Sequence, residues 1–238
     1  MKKNKIDNVL ITRQPEQSIE FINLLSSNGY FPFLLPMIKT VELEYTIKNK
    51  AFDYLVFTSA NSIKYFLKDI KKINYGQIVT VGAKTSEFAK EHGLKTDIIP
   101  KVYSSEGLIQ HFRDKEIQGM KFLIPGPKKR TETFKNFLVS KNAVVEAPAV
   151  YETQHVNYDE GFVDNFIINN KIDCVTFASP SAAEGFLKNS SSDIKIKHII
   201  SIGQTTYKYL KSHGISSESP ARYTVENIVS LINEINKS

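Results

Sequence analysis

Cysteine is nearly missing from this chain. Its one residue, Cys174, excludes an intramolecular disulfide and any cysteine metal cluster, which fits a reducing compartment. Long apolar runs are missing too. The longest, Phe31 to Ile38, is interrupted by Pro32 and Pro36, so nothing in it spans a bilayer. The N-terminus, Met1-Lys2-Lys3-Asn4-Lys5, is basic like the start of a signal peptide, but the apolar Val9 to Ile11 is too short for its core. The chain is read as cytoplasmic.

Several chemistries fall with missing motifs. Neither G-x-G-x-x-G nor G-x-x-x-x-G-K occurs, which removes the glycine-dependent phosphate cradles. No two histidines stand as H-x-x-x-H, and none sits beside Cys174, so the usual zinc signatures are absent. There is no G-x-S-x-G elbow for a nucleophilic serine. Cys174 lies inside an apolar strand, where it reads as a small buried hydrophobe. No metal and no cofactor is implied.

What is present is an ordinary globular composition. Of 238 residues, 41% are hydrophobic and 24% charged, enough to build a core. The net charge of +6 is moderately basic. Nucleic-acid binding would require clustered basic residues interleaved with aromatics. Lys128-Lys129-Arg130 is the one three-residue basic run, and it does not amount to such a surface. The excess serves either solubility or an acidic small molecule held in a cleft.

The chain also repeats itself. Val56-Phe57-Thr58-Ser59, opening a helix through Tyr65-Phe66-Leu67, recurs as Thr176-Phe177-Ala178-Ser179 with Gly185-Phe186-Leu187. Val81-Gly82-Ala83-Lys84-Thr85 recurs as Ile202-Gly203-Gln204-Thr205-Thr206; their helices end at His92-Gly93 and His213-Gly214. Pro100 to Ser104 recurs as Pro220-Ala221-Arg222-Tyr223-Thr224. Val9-Leu10-Ile11 and Phe122-Leu123-Ile124 each start a strand–helix unit that enters a second extended run, Phe31 to Thr40 and Val144 to Thr153. The order is A, B, A′, B′.

Each unit reads as strand then helix. Asp53 to Phe57 is nearly all apolar, as a strand buried on both faces of a parallel sheet should be. Gly93 and Gly214 fall where a helix ends in a left-handed residue, and His92 and His213 read as C-terminal residues favoured by the helix dipole. Such alternation predicts doubly wound parallel-sheet α/β domains.

Ligands of such sheets bind beyond the carboxyl ends of the strands, near helix N-termini. Here those places carry hydroxyls: Thr58, Ser59 and Ser62; Thr85 and Ser86; Ser179 and Ser181; Thr205 and Thr206. Taken singly, each is a helix cap. Ser104-x-x-Gly107 and Thr224-x-x-Asn227 need no other explanation. Two facing sets suggest a cleft whose hydroxyls and amides would hold carboxylates.

Six segments then stand out together: Leu10-Ile11-Thr12-Arg13, Val56-Phe57-Thr58-Ser59-Ala60-Asn61, Val81-Gly82-x-x-Thr85, Ala149-Val150-Tyr151-Glu152-Thr153, Phe177-Ala178-Ser179-Pro180-Ser181 and Ile202-Gly203-x-Thr205-Thr206. In this order and over nearly the whole chain, they resemble the uroporphyrinogen-III synthase family. The resemblance implies two similar Rossmann- or flavodoxin-like domains joined by two crossing linker strands. Domain 1 would be 1–38 with 155–238, domain 2 would be 43–151, and 39–42 with 152–154 would be the linkers. A flexible hinge is expected of two crossings.

The implied activity is cyclisation of hydroxymethylbilane, a linear tetrapyrrole, to uroporphyrinogen III. The last pyrrole is inverted, water is lost, and no cofactor takes part. Tyr151 is the candidate proton donor to the departing oxygen; the other reading is a tyrosine packed at the hinge. Thr58, Ser59, Thr85, Ser179, Thr205 and Thr206 are assigned to substrate carboxylates or to backbone positioning. Arg13 and Arg130, at corresponding strand ends of the two repeats, add charge or remain solvated. A monomer is expected, with a transient hand-over from the preceding pathway enzyme and neither nucleic acid nor membrane as partner. The competing class is a non-enzymatic, hinge-type binding protein for an acidic small molecule.

Overall fold

The computed structural model describes residues 5–191, 194–222 and 224–237. The first four residues of the basic start, and Tyr223 of the second Pro-x-x-Tyr segment, lie outside the described residues. In chain order, β1 (Asn8–Ile11), α1 (Ile19–Ser27) and β2 (Phe31–Leu34) precede β3 (Ile38–Glu42). Next come β4 (Ala51–Phe57), α2 (Ala60–Phe66), β5 (Asn74–Thr80), α3 (Ala83–Glu91) and α4 (Ser105–Phe112). They lead to β6 (Lys121–Leu123), β7 (Gly126–Pro127), α5 (Thr133–Ser140), β8 (Val144–Glu146) and β9 (Ala149–His155). The remainder is α6 (Phe162–Asn169), β10 (Cys174–Phe177), α7 (Pro180–Asn189), β11 (His198–Ser201), α8 (Gln204–Ser212) and α9 (Val225–Lys237).

The chain divides into two compact units, 1–39 with 154–238, and 40–153. The first contains a sheet of order β11-β10-β1-β2 and the second a sheet of order β5-β4-β6-β8. All these pairings are parallel. Under the sequence repeat, β4 and β5 correspond to β10 and β11, while β6 and β8 correspond to β1 and β2. The two sheets therefore share one strand order, and each combines complementary halves of the two repeats. The chain passes between units along β3 and β9, which lie side by side, with β7 on the far side of β9.

Both central strands are buried on two faces, which is why they read as unbroken apolar runs. In β1, Val9 and Ile11 enter one core and Leu10 the other. In β4, Tyr54 and Val56 face one core while Leu55 and Phe57 face its opposite. Cys174 is fully buried in the first of these cores, and burial pushes its thiol well above the ordinary pKa.

The expected second extended runs are each broken in two. Phe31 to Thr40 splits into β2 and β3, and Val144 to Thr153 into β8 and β9. Pro36 and Pro148 lie in the two gaps, where the missing N–H ends the ladder. Pro32 is tolerated inside β2 because that strand is the edge of its sheet. The helix ends match their sequence signals. Gly93 and Gly214 have φ of +75° and +74°. His92 and His213 donate from Nδ1, at 2.8 Å, to the carbonyls of Phe88 and Tyr209.

One carboxylate per repeat clamps the halves together. Asp173 Oδ2 accepts the N–H groups of Asp7 (3.2 Å) and Asn8 (3.1 Å), where β1 starts. Its repeat counterpart, Asp53, accepts the N–H of Lys121 at 2.7 Å, where β6 starts. Burial alone would raise the Asp173 carboxyl, but Lys197 Nζ at 2.7 Å and the two amides outweigh it and hold the pKa below 3.8. The stabilisation is complete above the unfolded-state value and fades as pH falls through the lower folded one. Asp173→Asn is expected to lose about 1–2 kcal/mol at pH 7. The deficit should vanish below about pH 3 in urea titrations; a pH-independent deficit would show that charge contributes nothing.

Candidate functional site

Each four-stranded sheet reverses its winding between its two central strands, and ligands of such sheets bind beyond the carboxyl ends at that point. In unit 1–39 with 154–238 that place follows Ile11 and Phe177. Two threonines lock the strands there. Thr12 Oγ1 donates to the Thr176 carbonyl at 2.7 Å, and Thr176 Oγ1 donates to that of Leu10 at 3.0 Å. Beyond them, Ser179 caps α7, accepting the Ala182 N–H at 3.2 Å and meeting Ser181 Oγ at 3.0 Å. Arg13 stands at the end of β1. Burial lowers its pKa below the ordinary guanidinium value, opposed by Glu20. A partly dehydrated guanidinium suits an anion, because carboxylate bonds replace lost water. In α8, Thr205 is exposed while Thr206 is buried in the same first turn.

The corresponding place in unit 40–153 follows Phe57 and Leu123. Thr58 is exposed and Ser59 caps α2, accepting the Ser62 N–H at 3.1 Å. Ser59 Oγ also lies 2.9 Å from Ser62 Oγ and 3.3 Å from Tyr151 Oη. Tyr151 comes from β9 and is only 5% exposed. Burial raises its phenol above the ordinary pKa of 10; Ser59 and Ser62 oppose the shift. The hydroxyl is thus a donor throughout the neutral range. Thr85 is buried in the first turn of α3, as Thr206 is in α8.

Arg130 differs from the expectation of a charge offered to substrate or solvent. Nη1 donates to the carbonyls of Ile124 (3.2 Å) and Pro148 (3.4 Å), and Nη2 to that of Ala147. Nε meets Glu132 Oε1 at 3.2 Å. The Pro148 carbonyl also accepts the Gly126 N–H at 3.1 Å, and the guanidinium fork serves it together with the loop carbonyls of Ile124 and Ala147. Arg130 is a latch between two loops.

The sequence pointed to Ser62 only as one of the hydroxyls after β4, and gave Tyr65 no role. Tyr65 stacks on Tyr151 with ring centroids 5.2 Å apart and planes at 22°. A signal was available: Ser59, Ser62 and Tyr65 recur every third residue, which puts neighbours on one side of α2. Among the described residues, no group of His, Cys, Asp and Glu could hold a metal ion. No described helix is long and apolar enough to cross a membrane.

Two α/β units with parallel sheets of one order, each with hydroxyls at its switch point, define a duplicated, two-domain α/β protein. A family model described as uroporphyrinogen-III synthase HemD matches residues 19–230. The chain belongs to the uroporphyrinogen-III synthase family, cyclising lyases of tetrapyrrole biosynthesis. A Chlorobaculum parvum uroporphyrinogen-III synthase is 26% identical over 231 residues, covering 90% of this chain and 93% of its own. In fold, the chain resembles the uroporphyrinogen-III synthetase of Helicobacter pylori, with a TM-score of 0.69 and 17% identity over 97% of this chain and all of that one. A mutant Thermus thermophilus synthase gives 0.57 and 13% identity, over 98% of this chain and 100% of its own. The family match does not favour the non-enzymatic binding protein.

Proposed function

We propose that this protein converts hydroxymethylbilane to uroporphyrinogen III, inverting the terminal pyrrole and releasing water. The observation that carries the reading is the Tyr151 phenol. It is desolvated, kept protonated by burial, and aimed at the cap hydroxyl of a helix at a sheet switch point.

The chemistry asks little of strong acids. The electron-rich pyrrole expels its own hydroxyl: the nitrogen lone pair moves into the ring and the C–O bond breaks. The oxygen leaves as water when it gains a proton. Tyr151 donates that proton, with Ser59 steadying the phenol, and regains one from the pyrrole when the closed macrocycle rearomatises. The harder demand is direction, because unassisted closure gives the uninverted isomer. The substituted carbon of the terminal ring must be held for attack, giving a spiro intermediate. Holding it is positioning catalysis. Ser59 and Ser179, with exposed Thr58 and Thr205, offer hydroxyls at helix starts to the substrate's carboxylates, and Arg13 adds charge. Buried Thr85 and Thr206 position the first turns of their helices. The reaction so described uses no cofactor.

The test supplies hydroxymethylbilane from a coupled source and separates the macrocycles by chromatography. Type III is expected in large excess. A type I to type III ratio equal to the spontaneous one would end this reading.

A further inference from the structure

We propose that Tyr65 is a positioning residue for Tyr151, holding the plane of its ring and tying that ring through Thr40 to β3. The idea rests on the reading of Tyr151 given above.

Tyr65 is fastened at both ends. Its backbone belongs to α2, and its hydroxyl donates to the Thr40 carbonyl at 3.0 Å. The same oxygen lies 2.7 Å from Thr40 Oγ1. A phenol has one proton; once the carbonyl takes it, the Thr40 hydroxyl must be the donor in the second contact. Both bonds are then complete, and the ring between them has little freedom to turn. Its face meets Tyr151 at 5.2 Å in an offset, near-parallel stack.

Tyr151 is therefore held from α2 at two points. Tyr65 sets the tilt of its ring, and Ser59 Oγ lies 3.3 Å from its hydroxyl. Tyr65 packs against the same core as Phe57, Phe66 and Tyr151, but packing does not account for its hydroxyl. The adjacent Phe66 is fully buried against Phe57 and Tyr45 and fills that core. Tyr65 is less buried, and both bonds of its hydroxyl go to one residue near the middle of a strand that links the units. A displacement of β3 at Thr40 would reach the Tyr151 ring through Tyr65, in addition to the backbone pairing of β3 with β9.

The test uses the full chain and three variants: Tyr65→Leu, Tyr65→Phe and Tyr151→Phe. Tyr65→Leu should lower kcat by about 10-fold with KM changed less than about 2-fold, since ring placement and not carboxylate binding is lost. Tyrosine labelled with carbon-13 at Cζ reports each phenol's ionisation by NMR. In Tyr65→Leu, the Tyr151 signal should titrate at lower pH than in the parent chain, because the ring that helps to bury it is gone. Tyr65→Phe keeps the stack but not the Thr40 bonds, and should shift both readouts by a smaller amount. Adding Tyr65→Leu to Tyr151→Phe should cost nothing further. Parent kcat together with an unshifted Tyr151 titration in Tyr65→Leu overturns the proposal. If that variant does not fold, parent values of both readouts in Tyr65→Phe overturn it equally. Full turnover by Tyr151→Phe would instead remove the proton donor; the titration would still report whether Tyr65 holds the ring.

Discussion

Tyr151→Phe should lower kcat by about 10-fold to 100-fold while the fold survives. The replacement keeps the ring on Tyr65 and the buried contacts of β9, and deletes one oxygen 3.3 Å from Ser59. General acids at positioned sites commonly contribute more than this. Here the pyrrole drives off its own hydroxyl, so the acid assists a departure that already proceeds. Slower departure also gives spontaneous closure time to compete, and the product should drift toward type I. Because burial raises the phenol's pKa, Tyr151 should impose no alkaline limb on kcat below about pH 10. Rapid-quench kinetics with isomer separation would check the rate, the ratio and the pH profile together. Full turnover with an unchanged isomer ratio would leave Tyr151 as a packing residue.

Arg130→Met should destabilise the protein by roughly 2–4 kcal/mol, a large effect for a partly solvated residue. Its side chain is only 19% exposed, and its donors satisfy the carbonyls of Ile124, Ala147 and Pro148. Methionine fills similar space but leaves the Ile124 and Ala147 oxygens to find water within a packed loop junction, while Pro148 keeps the Gly126 N–H. Arg130→Lys should recover only part of the loss, because an ammonium is a single point that cannot reproduce the fork. Urea denaturation followed by circular dichroism measures this directly. A parent-like midpoint with a raised KM would instead restore Arg130 to the substrate site. Since β7 pairs with β9 just beside this latch, the same variant should also loosen Tyr151.

Both expectations turn on features that differ in how far the chain's own order reveals them. Ser59, Ser104 and Ser179 were legible as caps, and their oxygens accept the N–H groups of Ser62, Gly107 and Ala182. Each bond closes over three residues, so local order suffices to form it. The same holds for Gly93 and Gly214 at helix ends. Thr85 and Thr206 read like the other hydroxyls, yet they are buried, because the third position of those helices turns toward the sheet. The basic run at 128–130 looked uniform in sequence. Lys128 meets Glu152 at the surface, while Arg130 turns inward.

Alternation of apolar runs with capped helices, together with the internal repeat, was enough to determine two parallel-sheet α/β domains, because burial on both faces and capping act over a few residues. The tertiary structure alone decided that Arg130 faces carbonyls, that Tyr65 lies on Tyr151, and that Asp53 and Asp173 bind the opening of a strand from the other repeat. These contacts join residues far apart in the chain. Their partners are chosen by the path of the backbone, and no local pattern of residue types carries that information.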